Sequence, residues 1–499
     1  MLNTKNKITL SLLLCLFFVH ISCDSVLDEA PDNRTEIDSA EKIGELLTGA
    51  YPAAGYIPFL EPRTDNAEDK GREGGDNRIN RESFFWNDIF DPDLDTPVNY
   101  WNATYTAIAH ANQALASIEE LRIAGNNEDL DQLEGEALLA RAYAHFMLVN
   151  IWAMPYNSST AETDLGIPYV IEPERVLIKE YERASVAEVY RNIVADLEKG
   201  FPLIEDDYEA PAFHFTREAA AAFASRVYLH LGEWEKVEAY SDLIFITGSN
   251  ASKLRDWVFY RSLTYSQILN LYSDSDESAN LLVVSAGSLF SRNFASSRYQ
   301  LSPGLANELF SNGNPTGGSW AYPLYGTDIF YNIPKFFEYF RVTNPSANIG
   351  NPYVQYVLLS ADEVLLNAAE AKVMLGKENE AMDYINLFLS KKTRNYNSGF
   401  VLSSEEFSGF YSNTNFEYKP FYSLTPEQIP FIHGLQEMRR REFYQEGLRW
   451  FDIRRFNLSI DHFYQDNRET YSLESGDLRY ALQIPNDAVS FGLEPNPRP

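Results

Sequence analysis

Apolar residues recur along this chain at alternating spacings of four and three, the period of a helix that buries one face. Between 131 and 153 those positions are Leu133, Ala137, Ala140, Ala144, Met147 and Ile151. The alanines among them let a neighbouring helix approach closely. The pattern returns over 216–231 through Ala220, Phe223, Ala224, Val227 and Leu231, opening at Thr216 as a capping residue. It returns again over 358–375 through Ala361, Leu365, Ala368, Ala371 and Leu375. Further helices are predicted over 99–123, 185–200, 233–246, 378–393 and 426–444. Two helices are followed at once by a second one, across Gly232-Glu233-Trp234 and across Gly376-Lys377. An alanine-rich helix, a short glycine turn and a second helix is the layout of tetratricopeptide-like units. The predicted class is therefore all-α, mostly helical: a scaffold of tetratricopeptide-like helix pairs with long loop insertions at 52–98, 154–184, 250–356 and 395–424. A rigid scaffold carrying long loops places function on the loops.

The first residues follow a different pattern. Lys5 and Lys7 precede an uncharged, almost wholly apolar run from Ile8 to Val19. At about a dozen residues this is the length of a signal-peptide h-region and short of the ~20 needed to span a bilayer. The run closes on Ser22-Cys23 and turns polar at Asp24-Ser25, a junction that resembles a lipobox. Residues 1–22 are read as a lipoprotein signal peptide, Cys23 as the lipid anchor, 23–40 as a lipidated tether and 41–499 as one helical domain. Cysteine usage agrees: the chain has two, Cys15 and Cys23. Cys15 is lost on cleavage, leaving Cys23 no partner for a disulfide. Stable attachment then needs more than one acyl chain on Cys23.

The formal charge of −31 makes nucleic acid and anionic membrane surfaces poor partners. Catalytic signatures are sparse. There are seven His, and the chain contains no HExxH, GxSxG or CxxC. A carboxylate pair for glycoside hydrolysis is not singled out among the 72 acids. Asp91-Pro92-Asp93-Leu94-Asp95 has the alternating carboxylates of half a calcium loop, but Thr96 and Asn102 stand where Gly and Glu are needed. No cofactor is expected, with a structural calcium ion as the single possibility. The arginines of 437–455 are interleaved with Glu442, Glu446 and Asp452, and Glu437 and Arg441 have i,i+4 spacing. This predicts an internal ion-pair network rather than an anion-binding patch.

Several segments resemble, in order, those of the SusD/RagB family of outer-membrane lipoproteins from Bacteroidetes. The run from Glu437 to Arg455, with Arg439-Arg440-Arg441-Glu442, Glu446-Gly447 and Trp450-Phe451-Asp452, is similar to the family's C-terminal signature. So are the helix ending Ile151-Trp152-Ala153-Met154-Pro155, the stretch Thr216–Trp234, the run Asp362–Ala371, and Gln483-Ile484-Pro485 with Asn496-Pro497. Asp24, Asp28 and Glu29 resemble the acidic stretch that routes such lipoproteins to the cell exterior. The resemblance implies four tetratricopeptide-like pairs and a lipid-anchored protein exposed on the outer membrane. It also implies a partner, a SusC-like TonB-dependent transporter, to which a captured glycan is delivered without chemistry. Some family members take peptides instead, and a surface glycoside hydrolase is the alternative in another class.

Sugars present apolar faces that stack on aromatic rings, while polar side chains bond their hydroxyls. Trp101, Trp152, Trp234 and Trp450 fall in helical motifs and read as core. Trp86 and Trp320 lie in the insertions, the first beside Asn87 and Asp88 and the second beside Tyr322 and Tyr325. The expected ligand platform is therefore Trp86, Trp320, Tyr322 and Tyr325, with Asn87 and Asp88 as polar partners.

Overall fold

A computed structural model of the chain describes residues 37–499 apart from 127, 176–178, 246–249, 414 and 416. The segment read as a signal peptide and Cys23 lie outside the described residues. The principal helices are α1 (Pro97–Ile123), α2 (Asp131–Trp152), α3 (Val186–Gly200), α4 (Arg217–Leu231) and α5 (Trp234–Ser241). After a long region of short helices and strands come α6 (Ala361–Met374), α7 (Glu378–Lys392), α8 (Gln428–Glu442) and α9 (Leu448–Arg455). About 46% of the chain is helical, so helix is the dominant regular structure, as the periodicity requires. Among the described residues no helix is long and apolar enough to cross a membrane.

Local chemistry sets the helix boundaries. Thr216 accepts the Ala219 N–H at 3.1 Å, and Gly232 ends α4 at φ 71°, a left-handed conformation that glycine adopts without a Cβ penalty. The helix predicted from 358 starts later, at Ala361, because Leu359 is still paired in a strand opposite Leu282. Ser360 then caps α6 by accepting the Glu363 N–H at 3.3 Å. The alanine faces do what their size allows: Ala220, Phe223, Ala224 and Val227 of α4 and Leu365, Ala368 and Ala371 of α6 are all buried.

The all-α expectation needs one correction, because the 250–356 insertion is partly a sheet. Strands β1 (Asn280–Gly287), β2 (Glu338–Asn344) and β3 (Ile349–Ser360) form an antiparallel sheet in the order β1-β3-β2. A second hairpin pairs β4 (Ile460–Tyr464) with β5 (Glu469–Leu473). The 52–98 and 250–356 insertions fold onto each other. Glu68 and Asp69 pair with Gln300 and Tyr299, isolated bridges join Ala54 to Gly287 and Gly75 to Ser297, and Asp69 accepts from Arg298 at 2.6 Å.

Buried ion pairs tie the helices together. Asp452 on α9 accepts from Arg439 of α8 and from Arg455, each at 2.9 Å. Arg455 continues to Glu370 on α6 at 2.7 Å, and Arg439 reaches Asn367 at 2.8 Å. Arg226 of α4 pairs with Glu363 at 2.7 Å, and Arg449 pairs with Asp65 at 2.8 Å. The expected Glu437–Arg441 pair forms too. These arginines are buried and matched by acids, so the segment is an internal network, as its interleaved charges predict.

Burial opposes the Asp452 charge, but the Arg439 and Arg455 guanidiniums outweigh it and hold the carboxyl at about 2. Arg441 and Arg440 likewise overcome burial at Glu437 and hold it at about 2. Both values lie below the ordinary 3.8 and 4.5, so the unfolded chain takes up protons first as pH falls. The stability these groups contribute is present above pH 4.5 and is lost progressively as pH falls toward about 2. Denaturant midpoints measured against pH should therefore drop below about pH 4.5; a midpoint unchanged down to pH about 3 contradicts the assignment. Asp452→Ala should lower the unfolding free energy by about 3–5 kcal/mol, since it strands buried guanidinium charge.

Candidate functional site

The outer face of the three-stranded sheet is built by period-two alternation. Gly287 lies opposite Tyr353, which lies opposite Tyr339; Ser285 faces Gln355, and Arg341 faces Asn351. Directly paired residues project to the same side, and successive ones to opposite sides. One face therefore carries Tyr339, Arg341, Asn351, Tyr353 and Gln355, while Ala286, Val354 and Tyr356 between them are buried. Tyr339 and Tyr353 are both half-buried and stack with centroids 5.2 Å apart at 21°. Phe337 packs edge-on to Tyr339 at 4.7 Å, and the Arg341 guanidinium sits 5.1 Å from the Tyr353 centroid.

The 52–98 insertion extends this shelf. Gly287 has no side chain, and Leu94 fills that gap, with its Cδ2 3.5 Å from where a Cβ would stand. Leu94 is 40% exposed and Phe337 38%, so the row has an apolar residue open to solvent at each end. Beside Leu94 lies a hollow of about 120 Å³ lined in part by Asn77, Asn80 and Asn293. The corner is fixed by Asp95, which accepts from the Ser288 hydroxyl at 2.6 Å and the Leu289 N–H at 2.8 Å. The Arg292–Glu338 pair, at 2.7 Å, braces the start of β2. Chemically the shelf offers the remaining exposed surface of a stacked tyrosine pair within reach of amide, hydroxyl and guanidinium groups.

The residues expected from sequence to form the platform lie elsewhere, and three are corrected by burial. Trp86, 2% exposed, donates its Nε1–H to the Arg63 carbonyl at 3.0 Å and stacks on His462 at 4.3 Å. Its backbone is left-handed, at φ 55°. Asn87 is exposed but bonds Glu82, and Asp88 pairs with Arg498 at 2.7 Å. Trp320, 1% exposed, lies under the Arg441 guanidinium at 5.2 Å, and buried Tyr322 donates to Glu442 at 2.8 Å. Tyr325 is half-buried against Tyr265 at 5.1 Å. Trp86 and Trp320 therefore have different surroundings, and neither shows a ring face to solvent. The aspartates of the supposed calcium loop diverge as well: Asp91 pairs with Arg78 at 2.6 Å, whereas Asp95 turns inward to Ser288. Among the described residues no group of three potential metal ligands occurs.

Comparison with known proteins fits this architecture. A family model described as "Starch-binding associating with outer membrane" matches residues 25–229, and the model of the SusD family matches residues 307–489. The chain belongs to the SusD family. Among relatives of this SusD-family chain, SusD-like protein P38 of Formosa agariphila is 23% identical over 513 residues, covering 92% of each chain. A SusD superfamily protein from Bacteroides thetaiotaomicron superposes with a TM-score of 0.65 at 20% identity, covering 92% of this chain and 100% of its own. A SusD-like carbohydrate binding protein from Bacteroides vulgatus gives 0.60 at 17% identity, covering 91% and 96%. At these identities the structural likeness establishes the fold.

The burial of Trp86 gives a direct check. Trp86→Ala should cost about 3–5 kcal/mol of stability, as large core truncations do. Ligand affinity of the folded fraction should be unchanged, and a loss of affinity at unchanged melting temperature would return Trp86 to the binding site.

Proposed function

We propose that this SusD-family chain is a carbohydrate-binding protein whose ligand lies along the Tyr339–Tyr353 shelf. The carrying observation is the stacked tyrosine pair, half-exposed and framed by Arg341, Asn351 and Gln355. An oligosaccharide meets such a surface with the apolar faces of its rings, while its hydroxyls bond the framing side chains. The order of strands and loops is fixed by the sheet register and by Asp95, so little side-chain freedom is lost on binding. The reading is capture without conversion, and the glycan is handed to a SusC-like TonB-dependent transporter. The lipid on Cys23 holds the protein at the cell surface on the outer membrane.

Binding to a panel of soluble polysaccharides (starch, xylan, laminarin, mannan and pectin) by affinity electrophoresis, then calorimetry with the corresponding oligosaccharides, tests this. Tyr353→Ala and Tyr339→Ala should each weaken the best ligand roughly ten- to hundredfold, with little change in melting temperature. Equal affinity in both variants would remove the shelf from the site, and release of shorter products would make the protein a hydrolase. Peptide capture is favoured instead if the whole panel fails while a peptide binds with the same dependence on Tyr353.

The anchor is tested separately in cells that lack the transporter. Cys23→Ala should leave ligand binding intact and move the protein out of the outer-membrane fraction. Retention in that fraction would refute lipid anchoring at Cys23.

A further inference from the structure

The helical side of the molecule carries a cleft of about 520 Å³, a volume within the ~300–1,000 Å³ typical of ligand sites. No shelf residue lines it. Tyr105, Ile108 and Ala109 of α1 form one side, and Val170, Phe491 and Leu493 stand opposite. The wall at 168–171 is clamped by polar side chains, of which Asn112, Arg141 and His145 are buried. Tyr105 donates to the Pro168 carbonyl at 3.1 Å, Asn112 to that of Val170 at 3.0 Å, and Arg141 to that of Ile171 at 3.4 Å. His145 accepts the Val170 N–H at 3.0 Å and stacks on Tyr169 at 3.8 Å. Burial pushes the His145 pKa down to about 3, so the ring stays neutral and keeps that lone pair available. Asp196 closes the cluster, gripping Arg141 through both oxygens at 2.7 and 2.8 Å and accepting from Tyr169 at 2.6 Å.

This arrangement decides what the cleft can recognise. Those backbone groups of the wall are already engaged inside the protein, so an incoming strand finds no ladder there to extend. Exposed Ala109 and Phe491 and half-buried Val170 present apolar surface over buried Ile108 and Leu493, with half-buried Tyr105 and Tyr181 among the lining. Glu172 and Glu174 stand among the lining residues, both exposed, against a single Lys179 that lies 3.8 Å from Glu172. An apolar floor under an acidic rim complements a ligand with an apolar body and a positive charge. A second copy is disfavoured, since each chain carries a formal charge of −31.

We propose that this cleft is a docking site for a peptide segment of another protein that carries bulky apolar side chains beside a lysine or arginine. The shelf and the cleft are then two sites with two ligand chemistries on one scaffold.

Selection of a displayed library of random dodecapeptides against the intact mature protein tests this, followed by fluorescence anisotropy of the enriched peptides. The enriched sequences should pair apolar residues with a basic one, and their affinity should fall as salt is raised. Glu172→Gln combined with Glu174→Gln should weaken binding about tenfold, and Ala109→Trp, which fills the cleft from an exposed helix position, should abolish it. Both variants are read only at wild-type melting temperature, and Lys179→Ala, expected to leave binding equal or tighter, serves as the alternative variant. No enrichment, an acidic consensus, or affinities unchanged by these substitutions would overturn the proposal. Loss of polysaccharide binding in Ala109→Trp but not in Tyr353→Ala would overturn it too, and would move the glycan from the shelf to the cleft.

Discussion

Asp452 is the group on which the helical body most depends. Its two oxygens meet Arg439 and Arg455, and through those arginines it is linked to Asn367 and Glu370 on α6. Three helices, α6 well upstream of the adjacent α8 and α9, are thereby held in one register by a single buried carboxylate. Such a cluster costs desolvation energy, which only full pairing offsets, so removing one member hurts far more than the cluster stabilises. Its use is specificity: packed alanine faces allow helices to slide, whereas charges with matched partners do not. The Arg226–Glu363 pair does the same for α4 against α6.

That fixed body is what allows the insertions to build surfaces. The sheet carrying the shelf runs directly into α6, since β3 ends at Ser360 and the helix begins at Ala361. The register of Tyr353 is therefore tied to the helix whose Glu363, Asn367 and Glu370 are held by arginines. On the opposite side of the same logic, Arg141 and Asp196 link α2 to α3 and seat the wall of the cleft. Both surfaces are pre-organised by buried charge rather than by loop packing alone, which lowers the entropy lost on binding.

The helices were legible in the sequence because their signal is redundant. Ala220 through Leu231 repeats the period over three turns, and Thr216 and Gly232 mark the ends. The sheet was missed for a physical reason. Glu338-Tyr339-Phe340-Arg341 and Asn351-Pro352-Tyr353-Val354 do alternate, but over a few residues and with aromatics on both sides of the pleat, as exposed Phe340 and half-buried Tyr339 show. The charge pattern of 437–455 was informative, since acids interleaved with arginines can neutralise one another without outside anions. The tryptophans misled. Trp86 and Trp320 lie in segments with every compositional mark of a surface loop. What buries them is long-range: a left-handed turn that drives Trp86 against His462, nearly four hundred residues on, and Arg441 lying over Trp320. Composition carries no trace of such contacts, so the ring most exposed in sequence terms became one of the least exposed in space.

A structure of the protein with its best-binding oligosaccharide soaked or co-crystallised tests the central claim most directly. The account predicts sugar rings stacked over Tyr339 and Tyr353, with hydroxyls bonded to Arg341, Asn351 or Gln355. A sugar seated in the cleft beside Tyr105 and Phe491, with the shelf bare, would contradict it.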